Sequence, residues 1–149
     1  GEHDAIVLAA AGLRRLGREA EITEWLDPEI MLPAVGQGAL ALECRLGDTA
    51  VVECAVVLDD PDTRAAVTAE RSFLGHLGAD CLAVAAAFAV VDHGTLELRA
   101  LIGDAAGHAV RGAERADASD SGVGARLAER LLRAGGAALL ASAALPADG

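Results

Sequence analysis

Apolar positions along this chain change their period several times, and each change marks an element. In DAIVLAAAGLRRLG (residues 4–17) an apolar run through Val7 and Leu8 predicts a short buried strand. It leads into a helix in which Leu13 and Leu16 alternate with Arg14 and Arg15, and Gly17 is the predicted stop. The next stretch, EITEWLDPEIMLPAVGQGALALECRLGD, is punctuated by Asp27-Pro28 and Pro33, with a tight backbone passage at Gly36 and Gly38. ALALECR (39–45) then predicts a second strand. DTAVVECAVVLDD carries Val51, Val52, Ala55 and Val56 as one helical apolar group, with Asp48 or Thr49 as cap.

The clearest helix is DDPDTRAAVTAERSFLGHLG (59–78). Asp60 precedes Pro61 at the first helical position, acids crowd the first turn, and Gly78 ends it. Val67, Phe73, Leu74 and Leu77 are its expected buried side. From residue 82 to 116 the texture changes to strands, the first of them almost uniformly small and apolar. Turn signals at Asp92-His93-Gly94 and from Gly103 to Gly107 divide the segment into three strands of a meander. TLELRALI alternates cleanly, so that strand has one wet face. A last amphipathic helix begins at Asp120 or Ser121 and breaks near Gly135-Gly136. From about residue 60 onward the pattern makes an α+β unit of helix, three strands and helix. Residues 1–58 read as strand–helix pieces whose parallel strands lack neighbours, as if cut from a larger protein.

Composition narrows the function classes. Aromatics are scarce, so the core must be built from Ala, Val and Leu. A formal charge of −11 opposes nucleic-acid binding. No apolar run is long enough to span a membrane, and no secretory leader is visible. All twelve basic residues are arginine, whose planar guanidinium suits carboxylates and phosphates. Cys44, Cys54 and Cys81 show neither CxxC nor Cys/His spacing, which speaks against a disulfide framework or metal site and for a reducing, cytoplasmic compartment. Cys44 and Cys54 sit inside apolar patterns and are expected to be small core residues. Cys81 follows Gly78-Ala79-Asp80 on a loop between helix and sheet. It is either a further core residue or a displayed nucleophile or attachment point, with Asp80 opposing its ionisation. His76, on the last helical turn, is expected to be a charge partner. The Gly-x-Gly of VGQGAL is a weak phosphate signal alone. The residues by themselves stop at a globular domain with one displayed cysteine.

Three stretches in this order go further. DAIVLAAAGLRRLG, LPAVGQGALALECR and AERSFLGHLGADC resemble the second half of the porphobilinogen deaminase (hydroxymethylbilane synthase) family, without gaps up to Cys81. The resemblance implies two periplasmic-binding-protein-like α/β lobes and a small α+β third domain. Residues 1–35 would end domain 2, residues 36–58 would be the return segment of domain 1, and residues 59–149 would form domain 3. It implies a dipyrromethane cofactor in thioether linkage to Cys81. That cofactor primes the condensation of four porphobilinogen units to hydroxymethylbilane with loss of ammonia, a transferase reaction. Arg15 matches an arginine that holds cofactor or substrate carboxylates, and Ala9 lies on the same wall. Gln37 and Gly38 match the segment passing the cleft. Arg45 and Arg71 match arginines of structural or interdomain character. The partners implied are porphobilinogen, the growing polypyrrole chain and the missing amino-terminal half, which bears the family's catalytic aspartate. No catalytic residue or metal ligand is therefore expected here, and the chain alone should be inactive. Two departures stand out: Val84 occupies the usual proline position, and Gly78-Ala79-Asp80 replaces the usual Gly-Gly before the cysteine. A different class of reading is a non-catalytic remnant that binds tetrapyrroles or proteins.

Overall fold

A computed structural model describes residues 3–78 and 84–143, side-chain burial extending to residue 142. The chain divides into two compact units, residues 1–31 and 32–149.

In the first unit, helix α1 spans Ala10–Arg15 and ends through Leu16 into Gly17, whose φ of 69° is left-handed. The guanidinium of Arg14 lies 4.7 Å above the Trp25 ring and donates to Glu19 at 3.1 Å. Arg18 donates twice to Glu21, at 2.7 and 2.6 Å. The strand expected before α1 is not formed. Residues 5–9 have no regular structure, and Ile6, Val7 and Leu8 are exposed. An apolar run becomes a strand only when a neighbour takes its backbone groups, and none of the described residues does so.

The second unit opens with irregular chain. ALALECR is likewise not a strand: Leu40 is fully exposed and Leu42 largely so. Helix α2, Thr49–Val56, forms as expected, with the Asp48 carboxylate accepting from the Val51 N–H at 3.2 Å. Of its apolar group, however, Val51, Val52 and Val56 stay exposed and Ala55 is half-buried. Cys44 and Cys54 are exposed free thiols rather than core residues, because the segments holding them pack no core among the described residues.

From residue 60 the order of elements is the expected one. Helix α3 runs Pro61–Leu77, capped by Asp60 on the Thr63 N–H at 2.7 Å and closed by Gly78 at φ 58°. Strands β1 (Val84–Asp92), β2 (Thr95–Gly103) and β3 (Ala109–Asp117) form an antiparallel sheet in the order β1-β2-β3. Its first turn places His93 and Gly94 at φ 48° and 77°, the twist of a two-residue hairpin. Helix α4 covers Val123–Leu131. Residues 132–136 then kink at Gly135, φ 116°, before α5, Ala137–Ala143.

Helices α3 and α4 cover one face of the sheet. Phe73, Leu96, Leu98, Ile102, Val123 and Leu127 are fully buried there, with alanines filling the space between them. Helix α4 can sit close because Gly124 has no side chain. A Cβ there would lie 2.3 Å from the Ala69 carbonyl oxygen and 2.6 Å from the Phe73 nitrogen. On α3, Phe73 is in the core as expected, whereas Leu74 remains exposed and Ala69 and Glu70 are buried instead.

Candidate functional site

The only charged residue buried among those described is Glu70, 6% exposed, in the middle of α3. Helical spacing puts position 70 one turn before Phe73, on the side facing the sheet. A carboxylate taken out of water needs hydrogen-bond donors, and both its oxygens find one. Oε2 accepts from the Gly36 N–H at 2.7 Å, and Oε1 accepts from the Ala89 N–H on β1 at 2.8 Å. Since β1 is an outer strand, Ala89 directs this N–H away from β2, and the carboxylate supplies the missing acceptor.

The Gly36 contact fixes the Pro33–Ala39 loop. The Gln37 N–H donates to the Ala34 carbonyl at 3.1 Å, closing a four-residue turn whose third position, Gly36, has φ 71°. That left-handed conformation is what glycine supplies in such turns. The Gln37 side-chain oxygen also accepts from the Ala34 N–H at 3.3 Å, so the expected site residues Gln37 and Gly38 stand on a constrained turn. Between this loop, α3 and β1 lies a groove of about 130 Å³, lined by Pro33, Gly38, Thr63, Glu70 and Phe88 among others. Ligand pockets usually enclose some 300–1,000 Å³, so the groove is a packing seam rather than a binding chamber.

The other expected residues are distributed as follows. Ala9 caps α1 and Arg15 is its last residue, both exposed in the first unit. Cys81 lies outside the described residues. Arg15, Arg45, Arg71 and Arg111 have no carboxylate partner among the described residues, whereas the other arginines pair with acids. Three of these four are the arginines on which the family resemblance falls. Their guanidinium groups remain available to an external anion. Among the described residues no group of His, Cys, Asp and Glu is arranged to hold a metal ion, and no helix is long and apolar enough to cross a membrane.

Glu70 was not expected from the pattern. Its signal was present nonetheless: an acid standing at helical spacing among positions that the core claims.

Comparison with known proteins decides the family. Residues 1–53 match the model described as the porphobilinogen deaminase dipyromethane cofactor binding domain, and residues 64–133 match the porphobilinogen deaminase C-terminal domain. The chain belongs to the porphobilinogen deaminase family. It is 51% identical over 142 residues to the porphobilinogen deaminase of Roseiflexus castenholzii, covering 95% of this chain and 47% of that protein. The enzyme of Deinococcus radiodurans is 44% identical over 142 residues, covering 94% of this chain and 46% of its own length. The porphobilinogen deaminase of Mycolicibacterium gilvum is 59% identical over 91 residues, 61% of this chain and 29% of that protein. The chain thus spans about half the length of the first two relatives.

Dipyrromethane is the cofactor named by the family model over residues 1–53, the stretch that contains Ala9, Arg15, Gln37 and Gly38. The chemistry of the residues present suits it: a ligand rich in carboxylates fits arginines that have no carboxylate partner among the described residues. The departure at Val84 also has a local account. Val84 opens an outer strand, a place where proline is tolerated and a β-branched residue is favoured.

Proposed function

We propose that this chain supplies the carboxy-terminal half of a porphobilinogen deaminase and works together with an amino-terminal half. The supporting observation is the consecutive match of the family's two models, in order, to residues 1–53 and 64–133. In this reading residues 1–35 complete the second periplasmic-binding-protein-like lobe. Residues 36–58 return to the first lobe, and residues 59–149 form the third domain, on which Cys81 anchors the cofactor.

The roles of the residues follow from their chemistry. The Cys81 sulfur holds dipyrromethane as a thioether, which needs no depressed thiol pKa once formed and is therefore indifferent to Asp80. When bound, dipyrromethane supplies the pyrrole terminus to which porphobilinogen units are joined with loss of ammonia. Arg15 receives acetate or propionate groups bidentately, beside Ala9. Gln37 and Gly38 border the cleft, and Arg45 and Arg71 serve structural or interdomain contacts. A covalent tether keeps the growing chain at high effective concentration through repeated condensations. No residue of this half performs the proton transfers, so the chain alone is inactive.

Intact-mass measurement tests the proposal. The chain, co-expressed with a matching amino-terminal half and supplied with porphobilinogen, is expected to gain the mass of dipyrromethane, and Cys81→Ser is expected to gain nothing. An unmodified Cys81 thiol under these conditions overturns the reading in favour of a non-catalytic module.

A further inference from the structure

We propose that Glu70 is a positioning residue for the Gln37–Gly38 loop, holding it in register with the two elements that flank residue 81 in sequence. The inference rests on the proposed function above for what the loop does, and on the hydrogen bonds alone for how it is held. Three parts of the second unit meet at one carboxylate: α3, which carries it; β1, through the Ala89 N–H; and the Pro33–Ala39 loop, through the Gly36 N–H. Helix α3 ends just before residues 79–83 and β1 begins just after them. Any shift of the 36–38 turn relative to these elements must break or stretch one of two charge-assisted bonds at 2.7 and 2.8 Å. An apolar side chain of that size would fill the space but leave the Gly36 and Ala89 N–H groups without an acceptor. Two acceptors on one rigid group do what an apolar residue cannot: they fix the loop in a single register.

The chemistry sets the requirements closely. Glutamine keeps the length and shape but turns one acceptor into a donor, so one of the two amides faces an NH₂ group. Aspartate keeps the charge but is one methylene shorter and cannot span both amides.

The test has a part that needs no cofactor. In the wild-type chain, assembled with its amino-terminal half, scalar couplings across hydrogen bonds are expected from the Gly36 and Ala89 amide nitrogens to the Glu70 carboxylate carbon. Absence of either coupling overturns the clamp. In Glu70→Gln and Glu70→Asp, exchange of at least one of these two amides is expected to accelerate about tenfold or more. Cys81 should still take up the dipyrromethane mass, while kcat falls about tenfold or more through misplacement of the loop. Wild-type kcat in a variant whose amides exchange faster overturns the positioning role. If Glu70→Gln fails to fold, Glu70→Asp and the wild-type couplings still decide. If wild-type Cys81 never acquires the adduct, the proposed function fails, but the couplings and exchange rates continue to judge the clamp.

Discussion

At the scale of single residues, the chain relies on glycine where backbones must touch and on arginine wherever a positive charge is needed. Gly124 is the most demanding of the glycines. The first added carbon would overlap backbone atoms of α3, which cannot move aside as a flexible side chain could. Gly124→Ala is therefore expected to separate α4 from α3 and destabilise the fold by about 1–3 kcal/mol. A lower urea midpoint at unchanged m value would show it, and an unchanged midpoint would refute it. The arginines divide differently. Arg126 lies between Glu114 and Asp120, and those hydrogen bonds push its pKa upward, Asp120 first and Glu114 next. Arg15 has no such partner among the described residues, which leaves it open to a ligand. That difference was invisible in the sequence, where all twelve basic residues look alike. A pairing depends on which carboxylate the fold brings near, and composition does not contain it.

Among elements, the best legible were those whose patterns close on themselves. Helix α3 has its cap, its first-turn proline and its terminal glycine all within nineteen or so positions, and each was read correctly because each acts locally. The sheet was legible because its turns are short and marked, its first strand is a continuous apolar run and its second alternates. The strands expected around Val7 and Leu8 and at residues 39–45 were not found, since a strand is a relation between two segments and the described chain offers them no second one. Glu70 escaped notice because its donors come from 34 and 19 residues away in sequence. The wet face of the sheet leads to a prediction. Glu97 of β2 accepts from Arg99 at 2.7 Å and from Arg115 of β3 at 2.6 Å, and these bonds hold its carboxyl below the ordinary carboxylate range. The His108 side chain does the same for Asp104 in the β2–β3 turn, and Ser119 for Asp117 at the end of β3. Carboxyls depressed in the folded state bind fewer protons than they do unfolded. Their contribution is complete above the ordinary carboxylate range near pH 4–4.5, and is lost as the pH falls through that range and then through the lower native values. Thermal midpoints are therefore expected to be flat near neutrality and to drop steadily below about pH 4.5. Glu97→Gln should lower the neutral plateau slightly and shrink that drop, each solvated pair being worth little alone. A midpoint that rises on acidification would contradict the assignment.

For the molecule as a whole, apolar side chains are unevenly invested. The described residues from 61 onward bury most of theirs between sheet and helices, with Leu74, Val84 and Val90 exposed, while Ile6, Val7, Leu8, Leu40, Leu42, Leu46, Val56, Val57 and Leu58 stand in solvent. Exposed apolar surface on this scale is expected to make the isolated chain associate with itself. Sedimentation at rising concentration should show a growing average mass, and addition of a matching amino-terminal half should suppress it. Amide exchange should divide along the same line, with slow amides confined to α3, α4 and the sheet and fast ones in residues 5–9 and 39–58. A strictly monomeric chain with uniformly slow amides would sink this expectation.

The two outer strands of the sheet share a detail with a further consequence. On β1 the Ala89 N–H is taken by Glu70 of α3, and on β3 the Ala113 carbonyl accepts from the Arg130 guanidinium of α4 at 2.7 Å. A bare strand border is a template onto which a foreign chain can zip, and a single blocked rung spoils the register for its neighbours. Each border here is obstructed by a charged side chain of opposite sign, delivered from the helix layer behind it. While the helices are docked, the sheet is thus a poor seed for growth by strand addition, and only loss of α3 or α4 would expose it.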